Sequence, residues 1–409
     1  MTASDKIHNT TRAPLIGIDD ISFYTPRYAL DMSVLAEARG FAPDKYEHDL
    51  GQKRMAVIPP NEDIITMAVN AAAPLITEAR REKIRLVLFA TESAIDQSKA
   101  AGIYVQHYLK LSSACRVVEL KQACYSLTAA LQMARAMIAL NHDMEVLIIG
   151  ADIAKYEQET VAEPTQGAGA VAMIVKANPA IMTLDEEAGI FTTHVMDFWR
   201  PPYSPHAFVS PQYSVRSYLQ AMEKAWKQYA AQSGRTRENI DYACYHTPFA
   251  RMAENVHKKF RGDAERAANE IEAAIQYGQQ VGNTYTAALY ISLCSLLENS
   301  AIDLSHKRIG LFSYGSGAVS EYFSGVIQPG YKKKLRTEAH NKLIDSVSLC
   351  DIDAYNKFYS YKIPADGGTH PVPDYEAGAL RISHFSDHKR HYEWTFPRQK
   401  NIQQQTKTA

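Results

Sequence analysis

An α/β architecture made of two similar halves is what this 409-residue sequence predicts. Three observations carry the prediction. Apolar runs of strand length alternate with amphipathic stretches, those runs are continuously apolar, and one order of motifs occurs twice. A continuously apolar strand is buried on both faces, so helices must cover each side of its sheet. A chain this long buries about three-quarters of its unfolded surface, which is ample for such a core.

In the first half, strands are expected over 15–26, 84–93, 115–123, 146–154 and 170–179, and helices over 63–81 and 126–140. The second half repeats the programme. IDYACYHTPF (240–249) occupies the place of IRLVLFATES, VGNTYTAALYISLCSLL (281–297) that of QACYSLTAALQMARAMI, and KRIGLFSYGSG (307–317) that of MEVLIIGAD. Thr-Ala-Ala-Leu recurs at 128–131 and 286–289. Three matched elements in order read as a duplicated unit joined near 180–185, giving domains over 14–182 and 183–409 with a cleft between them. Residues 198–213 hold four prolines and five aromatics, which excludes helix or central strand and predicts a long connecting loop able to wall a tunnel. The basic clusters at 331–336 and 388–391 read as solvated faces, and the end, 399–409, should fray.

Forty-four Lys and Arg balance forty-five Asp and Glu, a net charge of −1 that offers nothing to nucleic acid. The N-terminus has no signal-peptide pattern, and no stretch reads as a membrane span, so a soluble, cytoplasmic protein is expected. Cysteines at 115, 124, 244, 294 and 350 form no CxxC pair, which argues against a disulfide framework or structural zinc. No HExxH, Walker A or GxGxxG pattern occurs, so neither a metal nor a bound cofactor is expected.

Cys124 falls between a strand and the helix SLTAALQMARAMIAL, where amide groups and positive potential would favour thiolate. The other four cysteines read as buried filler. Glu92 closes an apolar strand, an environment that raises a carboxyl pKa toward neutrality and suits it to act as a base. His246 ends the corresponding strand of the second half, and strand ends of α/β folds collect ligands and reactive groups. A pseudo-twofold would set Glu92 and His246 face to face, beside the helix starts at Cys124 and Asn283. Two glycine-rich turns, at 163–170 and 313–317, could bring backbone N–H groups to a substrate oxygen.

Together these residues resemble the 3-hydroxy-3-methylglutaryl-CoA synthase family of the thiolase superfamily, over the span from Ile16 to about residue 335. The carriers are Ala90-Thr91-Glu92-Ser93, Lys121-Gln122-Ala123-Cys124-Tyr125, Glu163-Pro164-Thr165-Gln166-Gly167-Ala168-Gly169-Ala170, Asp197-Phe198-Trp199-Arg200-Pro201, His246-Thr247-Pro248-Phe249, Gly282-Asn283-Thr284-Tyr285-Thr286 and Ser313-Tyr314-Gly315-Ser316-Gly317. The resemblance implies a five-layered αβαβα thiolase-like fold, a homodimer, and a condensation of thioesters. It implies that Cys124 carries an acetyl group from acetyl-CoA, that Glu92 removes a methyl proton, and that His246 holds and protonates the acetoacetyl-CoA ketone oxygen. By the same resemblance Asn283 and Ser316 orient substrate carbonyls, and Tyr156 and Pro248 line the pocket.

Glu92 weighs against a decarboxylative ketoacyl synthase, which needs no base, and the intact trio weighs against a non-catalytic scaffold. Two branches of the family share the chemistry: one takes CoA thioesters in the mevalonate pathway, while the other takes acyl carrier protein thioesters in polyketide β-branching. Ala90-Thr91-Glu92-Ser93, Glu163-Pro164-Thr165-Gln166-Gly167 and Asp197-Phe198-Trp199-Arg200-Pro201 resemble the CoA branch, where Arg251 would pair with a phosphate. His246-Thr247-Pro248-Phe249, Lys121-Gln122-Ala123-Cys124-Tyr125-Ser126 and the ending His391-Tyr392-Glu393-Trp394 resemble the carrier-protein branch, and Ser126 replaces a glycine common in the family. The CoA enzyme is the reading preferred.

Overall fold

The structure, a computed structural model, describes residues 14–395. The first thirteen residues, read above for a targeting signal, and the segment 399–409 lie outside the described residues.

Nine strands form the main sheet: β1 (Ile16–Tyr24), β2 (Ile84–Ala90), β3 (Arg116–Leu120), β4 (Glu145–Ala154), β5 (Gly167–Ala177), β6 (Met182–Thr192), β7 (Tyr242–Tyr245), β8 (Arg308–Gly315) and β9 (Val319–Ile327). Their spatial order is β7-β8-β9-β6-β1-β5-β4-β2-β3. From the middle outward, β1-β5-β4-β2 and β6-β9-β8-β7 have the same pairing senses: two antiparallel joins and then a parallel one. Only β3 lacks a counterpart, and it leaves a free edge at one end of the sheet.

Continuous apolarity has the predicted cause. Along β2, Leu86, Leu88 and Ala90 enter one core cluster while Val87 and Phe89 enter another, so both faces are covered. Six longer helices matter here: α1 (Ile64–Ala72), α2 (Ser126–Leu140), α3 (Pro211–Ser233), α4 (Ala250–Arg261), α5 (Ala264–Val281) and α6 (Ala288–Asn299). Helices cover both faces of this sheet, and α2 and α6 meet through a 2.9 Å bond between the Thr128 and Tyr290 hydroxyls. This is a thiolase-like α/β fold.

Several local expectations are corrected. Pro74 breaks the helix expected over 63–81: α1 stops at Ala72, a 3-10 turn follows, and a short helix resumes at Glu78. The aromatic, proline-rich segment is not all loop, because Phe198–Trp199 pairs with Phe208–Val209 and Pro211 opens α3, where its missing N–H costs nothing. The basic clusters are not simply solvated. Arg336 bonds Asp20 at 2.6 Å, and Arg390 lies 3.5 Å from the buried Asp63. Residues Ala123–Leu140 are apolar enough to match a membrane span, at mean hydropathy 1.2, contrary to the sequence reading. In the fold they are the Cys124 turn and α2, whose inner face is core and whose outer face leaves Met133 and Leu140 exposed.

Candidate active site

β2 ends at Ala90, so Glu92 stands two residues beyond the strand rather than closing it. Cys124 likewise precedes α2, which begins at Ser126. The two side chains meet: the Cys124 thiol donates to Glu92 Oε1 at 3.1 Å. Both keep a little surface open, although protein atoms crowd them closely. Burial, reinforced by the charge of Asp152, pushes the Glu92 carboxyl up to about 8. The thiol is not the thiolate that a helix start suggested. Burial and then the adjacent Glu92 charge raise its pKa well above the ordinary value, so desolvation outweighs the amides. Sulfur therefore keeps its proton and directs it at the Glu92 carboxyl.

The Cys124 turn is braced on several sides. Ala123 sits at φ +44°, a left-handed conformation that few non-glycine residues adopt. The Ser126 hydroxyl spans this turn, accepting from Gln122 N and donating to Ala123 O at 2.9 Å. Tyr125 OH is tied to Glu321 at 2.7 Å. Gly315, at the end of β8, lies so close that a Cβ there would be 2.5 Å from Gln122 O and 2.7 Å from Tyr125 N. The second glycine-rich segment thus lets the halves touch at the nucleophile. The first is not a turn: Gly167 and Gly169 belong to β5, and a Cβ on Gly167 would strike the Asn283 backbone at 2.6 Å. Its glycines give room to the Asn283 loop instead of forming an oxyanion cradle.

His246 follows β7, held through its backbone by Phe312 O at 2.8 Å and by the Tyr218 hydroxyl at 2.8 Å. It makes no hydrogen bond to Cys124 or Glu92, and its buried Nδ1 has no partner among the described residues. Burial pulls its pKa down to about 3, so the ring is neutral. Neighbouring β8 carries the Ser316 turn toward Cys124, with Gln122 Nε2 donating to Ser316 O at 3.3 Å. Asp197 holds that turn by accepting from Tyr314 OH at 2.7 Å and Gly317 N at 3.0 Å.

Asn283 is buried, and its Oδ1 accepts from Tyr285 N at 2.9 Å, so what it can offer a substrate is its N–H2. Tyr156 is buried against Phe198 and Tyr285, and Pro248 is half-buried in the turn before α4. Arg251 lies apart, on α4, where it bonds Glu254 and donates to His48 O at 3.0 Å. It lines an open cavity of about 890 Å³, together with Lys53, Arg54 and Lys258 and with Glu254, Glu272 and Asp345. Glu92, Cys124 and His246 do not line that cavity.

Asp152 is the residue the sequence reading missed. Fully buried at the end of β4, its Oδ1 accepts from Glu92 N and Thr91 Oγ1, both at 2.8 Å, and its Oδ2 from Thr286 N at 3.1 Å and Thr286 Oγ1 at 2.5 Å. One carboxylate therefore anchors the Glu92 loop to the Asn283 loop across the halves. A lone acid inside an apolar strand was the available signal. Asp152→Asn removes the charge that helps hold Glu92 neutral, so the pH midpoint of Glu92-dependent turnover will move to lower pH. The amide cannot accept all four bonds, so thermal unfolding will also show a loss of about 1–3 kcal/mol. An unmoved pH midpoint would refute the coupling.

Among the described residues no group of His, Cys, Asp or Glu is arranged to hold a metal. Comparison with known proteins agrees with this geometry. The family model described as hydroxymethylglutaryl-coenzyme A synthase N terminal matches residues 12–180, and its C-terminal companion matches 254–354. The chain is 40% identical over 356 residues to the hydroxymethylglutaryl-CoA synthase of Enterococcus faecalis, covering 86% of this chain and 93% of that one. It is 34% identical over 370 residues to the polyketide biosynthesis 3-hydroxy-3-methylglutaryl-ACP synthase PksG of Bacillus subtilis, covering 84% and 87%. A solved HMG-CoA synthase complexed with CoA matches with a TM-score of 0.90 at 36% identity, over 93% of this chain and 100% of that one. A thiol and a carboxyl in contact within this fold, and matches of this length, lead to one assignment: the chain belongs to the hydroxymethylglutaryl-CoA synthase family of acyltransferase-type condensing enzymes.

Proposed function

We propose that this enzyme condenses acetyl-CoA with acetoacetyl-CoA and water, giving 3-hydroxy-3-methylglutaryl-CoA and CoA. The observation that carries the reading is the 3.1 Å contact between Cys124 Sγ and Glu92 Oε1. Glu92 takes the thiol proton as sulfur attacks the acetyl carbonyl, then returns it to the departing CoA thiolate. It is again a carboxylate, beside the methyl group of the acetyl-cysteine. A base with its pKa near 8 is tuned close to a neutral operating pH, where it can remove that weakly acidic proton. The enolate adds to the ketone carbon of acetoacetyl-CoA, and the ketone oxygen lies against the His246 imidazole. A neutral imidazole N–H polarises a carbonyl, and the alkoxide formed is basic enough to take its proton, after which the imidazole is restored by the proton that Glu92 took from the methyl group. Asn283 and Ser316 orient the carbonyls, with the Cys124 and Ser316 amides as oxyanion donors. Tyr156 and Pro248 shape the acyl pocket. Water then cleaves the thioester and frees Cys124.

CoA is the carrier favoured, because Arg251, Lys53, Arg54 and Lys258 line one open cavity, where they outnumber Glu254, Glu272 and Asp345 and can meet a nucleotide's phosphates. The higher identity to the Enterococcus faecalis enzyme than to PksG supports the same choice and a place in the mevalonate pathway. The second reading, acetyl and β-ketoacyl groups delivered on acyl carrier proteins, is supported by the likeness to PksG. Acetoacetyl-CoA and an acetoacetyl-loaded carrier protein, offered as acceptors to the acetylated enzyme, will separate them: faster product from the CoA ester is expected, and a strong preference for the carrier would reverse the choice.

A cytoplasmic homodimer completes the proposal. The free edge of β3 with exposed Val118, and Met133 and Leu140 on α2, supply an apolar face for a second copy. Light scattering should give twice the chain mass, and Val118→Lys should lower it.

A further inference from the structure

Tyr285 follows Asn283 by two residues, and nothing so far has used its side chain. The residue is 3% exposed, yet its hydroxyl has no hydrogen-bond partner among the described residues. Burying a hydroxyl without a partner is costly, and folded proteins seldom do so unless the partner arrives later. The backbone adds a second anomaly. Tyr285 sits at φ +43°, a region that bulky side chains rarely occupy, and Asn283 Oδ1 holds it there through the Tyr285 amide.

That backbone turns the ring into the nucleophile's pocket. Its centroid is 5.7 Å from that of Phe198 and 6.5 Å from that of Tyr156, both edge-on, and Cys124 packs against the same cluster. Three aromatic rings beside a thiol form an apolar enclosure that suits a methyl group. The Tyr285 hydroxyl, beside that of Tyr156, gives the enclosure a donor that suits a single oxygen. Burial, then the nearby Tyr156, Glu92 and Cys124, raise the phenol well above its ordinary pKa, so the group stays protonated and can donate. A short acyl group on Cys124 has one acceptor atom, its carbonyl oxygen.

We propose that the Tyr285 hydroxyl donates a hydrogen bond to the carbonyl oxygen of the acyl group carried on Cys124, an assignment that rests on the acyl-enzyme reading above. It joins the backbone amides as a donor whose interaction strengthens as that oxygen gains charge, first on acylation and again in the enolate. Tyr285 is thereby a substrate-contacting residue.

The test compares the parent protein with Tyr285→Phe, each incubated with acetyl-CoA labelled with carbon-13 at the carbonyl. It reads the acetylation rate, the infrared carbonyl band of the acetyl-cysteine, and thermal melting of the unacylated proteins. The variant should melt at or above the parent's temperature, because phenylalanine removes a hydroxyl with no partner to lose. Acetylation should slow about 10- to 100-fold, below the largest losses seen for an oxyanion donor, and the carbonyl band should move to higher wavenumber. A band at the parent's position with the parent's acetylation rate would overturn the proposal. So would a lowered melting temperature, which would assign the hydroxyl to a partner inside the protein. If the parent takes no label on Cys124, the acyl-enzyme reading falls and this hydrogen bond falls with it, a result that the variant's band alone would not give.

Discussion

Cys124→Ala protein will take no acetyl label from acetyl-CoA, and condensation will fall by a factor on the order of 10⁴ or more. The size of the effect follows from chemistry, because no other thiol here can substitute. Burial holds Cys115 and Cys350 up at about 11 and Cys244 up to about 12, and it raises Cys294 well above the ordinary value. Cys124 is raised as well, but it alone has a carboxylate in contact to accept its proton. Folding should survive, since alanine removes one partly open sulfur from a turn that Ser126 and Tyr125 hold independently. A further consequence concerns Glu92. The thiol's hydrogen bond lowers the carboxyl pKa, so its removal lets that pKa rise above about 8. Mass spectrometry of the labelled protein, digested to peptides, checks the first point. Acetyl found on any other cysteine, with turnover retained, would remove Cys124 as the acyl carrier.

The sequence reading located the chemistry through types of position and lost it where pairing in space decides. Glu92, Cys124 and His246 stand where apolar strands give way to polar residues, and such boundaries are visible in one dimension. Asp152 showed only as an acid inside an apolar strand, because its importance lies in Thr91 and Thr286, residues 61 and 134 positions away along the chain. The glycines of 163–170 were visible but misread. A glycine marks space without saying what fills it, and here the occupant is the Asn283 backbone. A helix start does not make Cys124 a thiolate, because amide potential fades within a turn, whereas burial acts on the sulfur from all sides. Charges misled for a related reason. Arg336 and Arg390 sit in runs that look solvated, yet each has a buried acid opposite it that local sequence does not reveal.

Glu92→Ala will divide the reaction in two, with acetylation within about tenfold of the parent and condensation lower by about 10²- to 10⁴-fold. The first half of this expectation is not obvious, since Glu92 is the thiol's hydrogen-bond acceptor. Its removal, however, takes away the second and third causes of the raised thiol pKa, leaving burial and the lesser effect of the Asp152 charge. The lost base and the easier ionisation act in opposite directions, so acylation continues. No such offset exists for the acetyl methyl, a far weaker acid than a thiol, which needs a base within reach. The pH dependence separates the steps further. In the parent, condensation requires ionised Glu92, so its rate should rise about tenfold per unit below about pH 8 and level off above it. In the variant that limb should vanish from the residual rate. Glu92→Gln, which keeps the shape and removes the base, should behave like the alanine variant in condensation. If the glutamine enzyme condensed at the parent's rate, the methyl proton would have to leave by another route, and the 3.1 Å contact would be reduced to holding the thiol in place.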